Sequence, residues 1–133
     1  MNEVVLDSAA VLALILKEPG GDRVNALLDS VERGEDVRVA ISSVNWCEIL
    51  SRLLRDNKAM TAAELAATLA GVELVPFGRN DAERASQLTL VDRSISLGDR
   101  ACLSLARTRQ AVAWTTDKAL ARMKTGVQVE VLR

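Results

Sequence analysis

The sequence contains no histidine and no tyrosine, and only two cysteines, two prolines and three aromatic residues in 133 positions. Each shortage removes a class of chemistry. Without histidine the chain holds no Ser-His-Asp triad, no Cys-His pair and no histidine-bearing zinc site. Cys47 and Cys102 form no C-x-x-C motif and cannot supply a disulfide framework. Both fall in apolar helical patterns and are expected to pack as small buried hydrophobes, with a reducing cytoplasm as the compartment. Trp46, Phe77 and Trp114 are too few for an extended base-stacking platform, and the two tryptophans read as core packing. The longest apolar run, Ala9 to Leu16, has eight residues, where a membrane span needs about 20. It also lacks a basic leader, so neither a membrane helix nor a signal peptide is expected.

What remains is ordinary globular material, 49% hydrophobic and 26% charged, with a net charge of −1. The length suits one domain over residues 1–133. The small net charge hides a gradient. Residues 1–36 carry eight acids and three bases, whereas residues 93–133 carry three acids and eight bases. A uniformly basic coat for nucleic acid is excluded; a basic last third is present.

Local patterning gives alternating strands and helices. Val4-Val5-Leu6 is a short apolar run ending at Asp7, and Asp7 or Ser8 can cap a helix through Lys17 that Pro19-Gly20-Gly21 stops. Val24, Leu27, Leu28 and Val31 recur at helical spacing up to Gly34. Residues 37–41 alternate as a strand, and Ser42-Ser43 opens a helix expected to bury Val44, Leu50, Leu53 and Leu54. Thr61-Ala62-Ala63-Glu64 has the capping-box pattern, residues 72–75 read as a third strand, and Asn80 to Glu83 repeats the capping logic. Ser96-Leu97-Gly98-Asp99 begins a helix with Cys102, Leu103 and Ala106 inward. Residues 111–114 form a fourth strand, Asp117 starts a short helix, and residues 127–131 form a fifth strand. Strands separated by crossover helices give a parallel sheet. The fold class is therefore α/β, a three-layer α/β/α sandwich around a short parallel five-stranded sheet.

In right-handed crossovers the strand ends and helix starts share one edge of the sheet, where open α/β folds place their sites. Four acids fall there: Asp7, Glu48, Asp99 and Asp117. Asp7, Asp99 and Asp117 each have a plain alternative as helix-capping groups. Glu48 lies past the first turn, within Val44-Asn45-Trp46-Cys47-Glu48-Ile49-Leu50, where a carboxylate is costly to ionise without a partner. Four converging carboxylates repel unless a positive charge lies between them, and an all-oxygen set suits Mg²⁺ or Mn²⁺. Glu64 and Glu83 are explained as caps, and Asp92 lies near the expected end of a helix.

Leu6-Asp7-Ser8, Asn45-x-x-Glu48, Ser96-Leu97-Gly98-Asp99-Arg100 and Thr115-x-Asp117 follow one another in this order across nearly the whole chain. In that order and spacing the sequence resembles the PIN-domain ribonucleases, specifically VapC-like toxins of type II toxin–antitoxin pairs. The resemblance implies a PIN-like sheet with its first strand central and its fourth beside it. It implies that Asp7, Glu48, Asp99 and Asp117 are the catalytic set holding Mg²⁺ or Mn²⁺, with Ser8, Asn45 and Thr115 as polar helpers that orient acids, water or phosphate. It also implies endoribonuclease activity on RNA, for instance transfer or ribosomal RNA, leaving 5′-phosphate and 3′-hydroxyl ends. A homodimer and a small antitoxin partner come with it. The departure from the pattern is Lys118-Ala119-Leu120, where relatives often carry an arginine and an aromatic.

A carboxylate alone, with a pKa of about 4, is a weak base toward water of pKa about 15.7, and a metal narrows that gap. An acidic site also repels phosphate, so the rim must be basic. Arg93, Arg100, Lys118, Arg122 and Lys124 are the candidates for contacting RNA, with Arg107 and Arg109 left to a solvated helix end. The alternative is a non-catalytic RNA- or protein-binding module on the same fold. Its expected mark is loss of one of the four acids, and all four are present.

Overall fold

The computed structural model describes residues 2–58 and 60–133. Strand β1 (Asn2–Leu6) leads through Asp7 into helix α1 (Ser8–Ile15). Helix α2 (Gly21–Glu32), strand β2 (Val37–Ser42) and helices α3 (Ser43–Arg55) and α4 (Ala62–Thr68) follow. Then come β3 (Glu73–Val75), α5 (Arg79–Gln87), a single 3₁₀ turn (Leu88–Leu90), α6 (Leu97–Arg109), β4 (Val112–Thr115), α7 (Lys118–Arg122) and β5 (Val129–Val131). The five strands run parallel in the order β3-β2-β1-β4-β5. The expected architecture is present, with β1 central and β4 beside it.

Strand periodicity sorts the core into two layers. On one face Val4 and Leu6 of β1 join Val39 and Ile41 of β2 and pack against α1, α2, α3 and α4 through Ala10, Val24, Ile49 and Leu65. On the other face Val5, Ala40 and Ala113 meet Cys102, Leu103 and Ala106 of α6 and Leu120 of α7. Because β1 is flanked on both sides and both faces, its apolar residues are fully enclosed, and the chain that leaves it is held rigidly. Trp46 and Trp114 are partly buried against the first layer, and Arg23 stacks 5.4 Å from the Trp114 ring centroid.

Several local expectations need correction. Cys47 is exposed, unlike buried Cys102, because it points away from the α3 stripe formed by Ile49 and Leu53. Leu54 is 75% exposed for the same reason. Helix α5 starts at Arg79 with Asp81, not Glu83, returning its carboxylate to the Gly78 amide; Glu83 pairs instead with Arg79. Asp92 lies just past the 3₁₀ turn, near a helix end as expected, and its carboxylate closes a turn onto Ser94. Arg109 is no solvated bystander. It holds Glu3 of β1 at 2.9 Å and Glu73 of β3 at 2.7 Å, across the edge where the strands begin.

Helices α1 and α2 meet at close range through Gly21, where an added Cβ would run into the Ala13 carbonyl. Backbone cannot give way as a flexible side chain can. Gly21→Ala is therefore expected to destabilise the protein by about 1–3 kcal/mol, seen as a lower urea midpoint with an unchanged slope. An unchanged midpoint would show that the helices can part without loss.

Candidate active site

The four acids meet at the edge where the strands end. Asp7 follows β1 and caps α1, accepting a 2.8 Å hydrogen bond from the Ala10 amide. It is 2% exposed. Burial raises its carboxyl to about pKa 7; the Thr115 hydroxyl and the Ala10 amide oppose the rise, and the charges of Asp99 and Asp117 add to it. Asp99, in the first turn of α6, is also raised, first by burial and then by Asp117 and Glu48, with the Ser96 hydroxyl opposing. Asp117 caps α7 through the Ala119 amide at 2.9 Å and is exposed. Its own amide donates to the Thr115 hydroxyl at 3.0 Å, so fully buried Thr115 links Asp7 to Asp117.

Glu48 is the most constrained of the four. Its Oε1 accepts from the Ser8 hydroxyl and from Asn45 Nδ2, both at 3.0 Å. The same Asn45 amide donates to the Gly98 carbonyl at 3.0 Å. A Cβ at Gly98 would collide with the Glu48 carboxylate. One side chain is thus held from α1, its own helix α3 and the first turn of α6. Ser8 and Asn45 therefore stand against Glu48, and Thr115 against Asp7. Gly98 was missed by sequence reasoning. It was visible only as a glycine inside Ser96-Leu97-Gly98-Asp99, and the space it leaves for a residue 50 positions earlier has no sequence signature.

Buried Cys102 lies beneath this cluster. Burial pushes its thiol pKa up, and Asp7, Asp99 and Glu48 push it further, so it is no thiolate nucleophile. The acids are electrostatic neighbours without forming a closed cage: among the described residues, no three acidic side chains converge tightly enough to enclose a metal. Mutual repulsion and the capping bonds explain the spread. Three features nonetheless fit a hydrated divalent cation. The donors are all oxygen. Asp7 cannot ionise cheaply without a positive neighbour. The Oδ1 of Asn45, 1% exposed, has no hydrogen-bond donor, an acceptor left open for water.

The predicted basic residues are divided. Arg93, Lys118, Arg122 and Lys124 are exposed. Arg100 is half-buried, with one guanidinium nitrogen 3.4 Å from the Thr89 hydroxyl and its buried Nε unpartnered.

The chain is thus an all-parallel α/β sandwich with carboxylates gathered at the edge where its strands end. The PIN domain model matches residues 4–126, and the chain belongs to the PIN-domain family. A search of curated proteins found no match. Among solved structures, VapBC2 from Rickettsia felis, bound to a promoter DNA fragment, is similar at a TM-score of 0.77 and 20% identity, over 98% of this chain and 99% of that one. VapBC-1 from nontypeable Haemophilus influenzae is similar at 0.71 and 16%, over 98% of both chains. VapC20 from Mycobacterium tuberculosis, a Sarcin-Ricin loop cleaving toxin, is similar at 0.68 and 17%, over 90% of this chain and 93% of that one. At these identities the likeness is one of fold.

The raised Asp7 has a consequence for stability. Folded Asp7 keeps its proton up to about pH 7, while the unfolded group loses it near its ordinary value of 3.8. Between those values the folded state binds more protons, so stability falls as pH rises, by roughly 4 kcal/mol at most. Asn can keep the cap without the charge. In chelator, Asp7→Asn is expected to raise the thermal midpoint at about pH 8 and to leave it unchanged at about pH 4. Equal midpoints at both would show that Asp7 ionises freely.

Proposed function

We propose that this chain, acting as a single domain, is a cytoplasmic Mg²⁺- or Mn²⁺-dependent endoribonuclease. In this reading it is the toxin of a type II toxin–antitoxin pair and hydrolyses phosphodiesters in transfer or ribosomal RNA. The observation that carries the reading is buried Asp7, its carboxyl raised to about pKa 7 among neighbouring acids. A protein keeps such a group at a sheet edge when a cation compensates it. Family membership and the fold likeness to VapBC complexes and to a toxin that cleaves the sarcin–ricin loop support the substrate and the partner.

Asp7, Asp99, Asp117 and Glu48 would hold the cation, directly or through water. When bound, Mg²⁺ or Mn²⁺ supplies the charge that makes water a competent nucleophile at neutral pH and offsets charge building on the phosphate. The chain's own residues do the rest. Ser8 and Asn45 fix the Glu48 carboxylate, so that one oxygen is occupied by hydrogen bonds and the other stays available. Thr115 fixes the separation of Asp7 and Asp117. Asn45 Oδ1 is an acceptor positioned to hold a water proton. A small antitoxin and a second copy of the chain are the expected partners.

Purified protein incubated with structured RNAs, with Mg²⁺ or Mn²⁺ and with chelator, tests this. Metal-dependent cleavage is expected, lost in Asp7→Asn and Asp99→Asn variants that stay folded. Unchanged cleavage in both would sink the assignment, and the absence of both cleavage and metal binding would favour a binding module. Gly98→Ala, which forces the Glu48 carboxylate aside, is expected to lower kcat/KM about 10²-fold with the fold intact. Wild-type rates in that variant would remove Glu48 from the site.

A further inference from the structure

The four acids create a difficulty for their own substrate. RNA is a polyanion, and its backbone must come to rest against an edge that is itself negative. The structure holds a cavity of about 460 Å³ between the loop that enters α6 and helix α7. One wall is the loop that enters α6, including Asp92 and Ser94, and that helix carries Asp99 in its first turn. The other wall is α7, capped by Asp117, with Ala119, Arg122, Met123 and Lys124. Each wall is continuous along the chain with one acid, the loop with Asp99 through the start of α6 and helix α7 with Asp117 at its cap.

The charges around this cavity are unspent. Several arginines elsewhere on the surface are paired, among them Arg23 with Glu130, Arg52 with Asp56, Arg79 with Glu83 and Arg109 with Glu73. Arg93, Lys118, Arg122 and Lys124 make no ion pair among the described residues, and all four are exposed. The acid in the cavity wall is already committed. Asp92 accepts from the Ser94 amide at 2.8 Å and the Ser94 hydroxyl at 2.6 Å, which hold its carboxyl below the usual range. It folds back on its own loop and does not neutralise the facing cations. The remaining lining, Val91, Ala119 and Met123, is apolar. No aromatic lines the cavity, so it offers no stacking surface to a base.

We propose that the groove between the loop before α6 and helix α7 is the track along which the RNA sugar–phosphate backbone approaches the acids. Arg122 and Lys124 each contact a phosphate, with Arg93 and Lys118 at the two ends. This rests on the ribonuclease reading above. It adds a direction of approach and a sequence-tolerant mode of recognition, in which cations position the strand and no base edge is read. Free, exposed cations suit this role because they lose no internal partner on binding.

The test uses the full chain and a fluorescein-labelled oligouridine, with anisotropy read in chelator over a range of KCl concentrations. Each phosphate contact contributes about 0.7 to the slope of log affinity against log salt for a single strand. Arg122→Gln/Lys124→Gln is expected to flatten the slope by about 1.4 and to weaken binding about tenfold at fixed salt. Arg33→Gln, remote and paired with Glu35, should change neither. In the cleavage assay with Mg²⁺ the double variant should raise KM and leave kcat within about twofold. Both side chains are exposed, so folding is not at stake. If wild type cleaves RNA and the double variant keeps its slope and KM, the groove assignment fails and the ribonuclease reading stands. If wild type neither binds nor cleaves RNA, both fail.

Discussion

Like charges held close together at a sheet edge are the constraint on which this molecule turns. Asp7 is buried, and Asp99 and Asp117 lie near enough to raise its pKa further. In a fold of this size such an arrangement is tolerated only because the surroundings are rigid. β1 is flanked by β2 and β4 and covered on both faces, so Asp7 cannot swing into solvent. The capping bond that fixes its carboxylate also starts α1, so removing the acid's position would mean removing a helix start.

The same economy recurs around the edge. Three acids are anchored by the first turn of a helix: Asp7 at α1, Asp99 at α6 and Asp117 at α7. Helix N-termini favour negative charge, which softens the repulsion without cancelling it. Glu48 has no such terminus and depends on hydrogen bonds from Ser8 and Asn45 and on the void at Gly98. Capping and chemistry are therefore not rival explanations for these residues. The bonds that cap are the bonds that aim.

This explains which parts were legible in the sequence. Strand ends followed by Asp, and an acid stranded in the apolar stretch around Glu48, are local signals that periodicity exposes, and the five strands followed from the same patterns. Features made by contact between distant segments left no local trace. Gly98 matters because of Glu48, and Arg109 because of Glu3 and Glu73. The exposure of Cys47 and Leu54 was misread because α3 is amphipathic with a narrow buried stripe, and apolar composition alone does not say which residues face inward.

At the opposite edge of the sheet two carboxylates do have a cation between them, since Arg109 bridges Glu3 and Glu73. β3 is only three residues long and lies at the margin of the sheet, where backbone amides are ordinarily the first to open and exchange with solvent. Arg109 grips Glu73, the first residue of that strand, with both terminal nitrogens, while its root lies in α6. Opening of β3 is thereby tied to release of the far end of the helix that carries Asp99. Because Glu73 is largely solvent-facing, salt weakens the grip. Ionic strength thus acts on local opening at one end of α6 while the acids occupy the other.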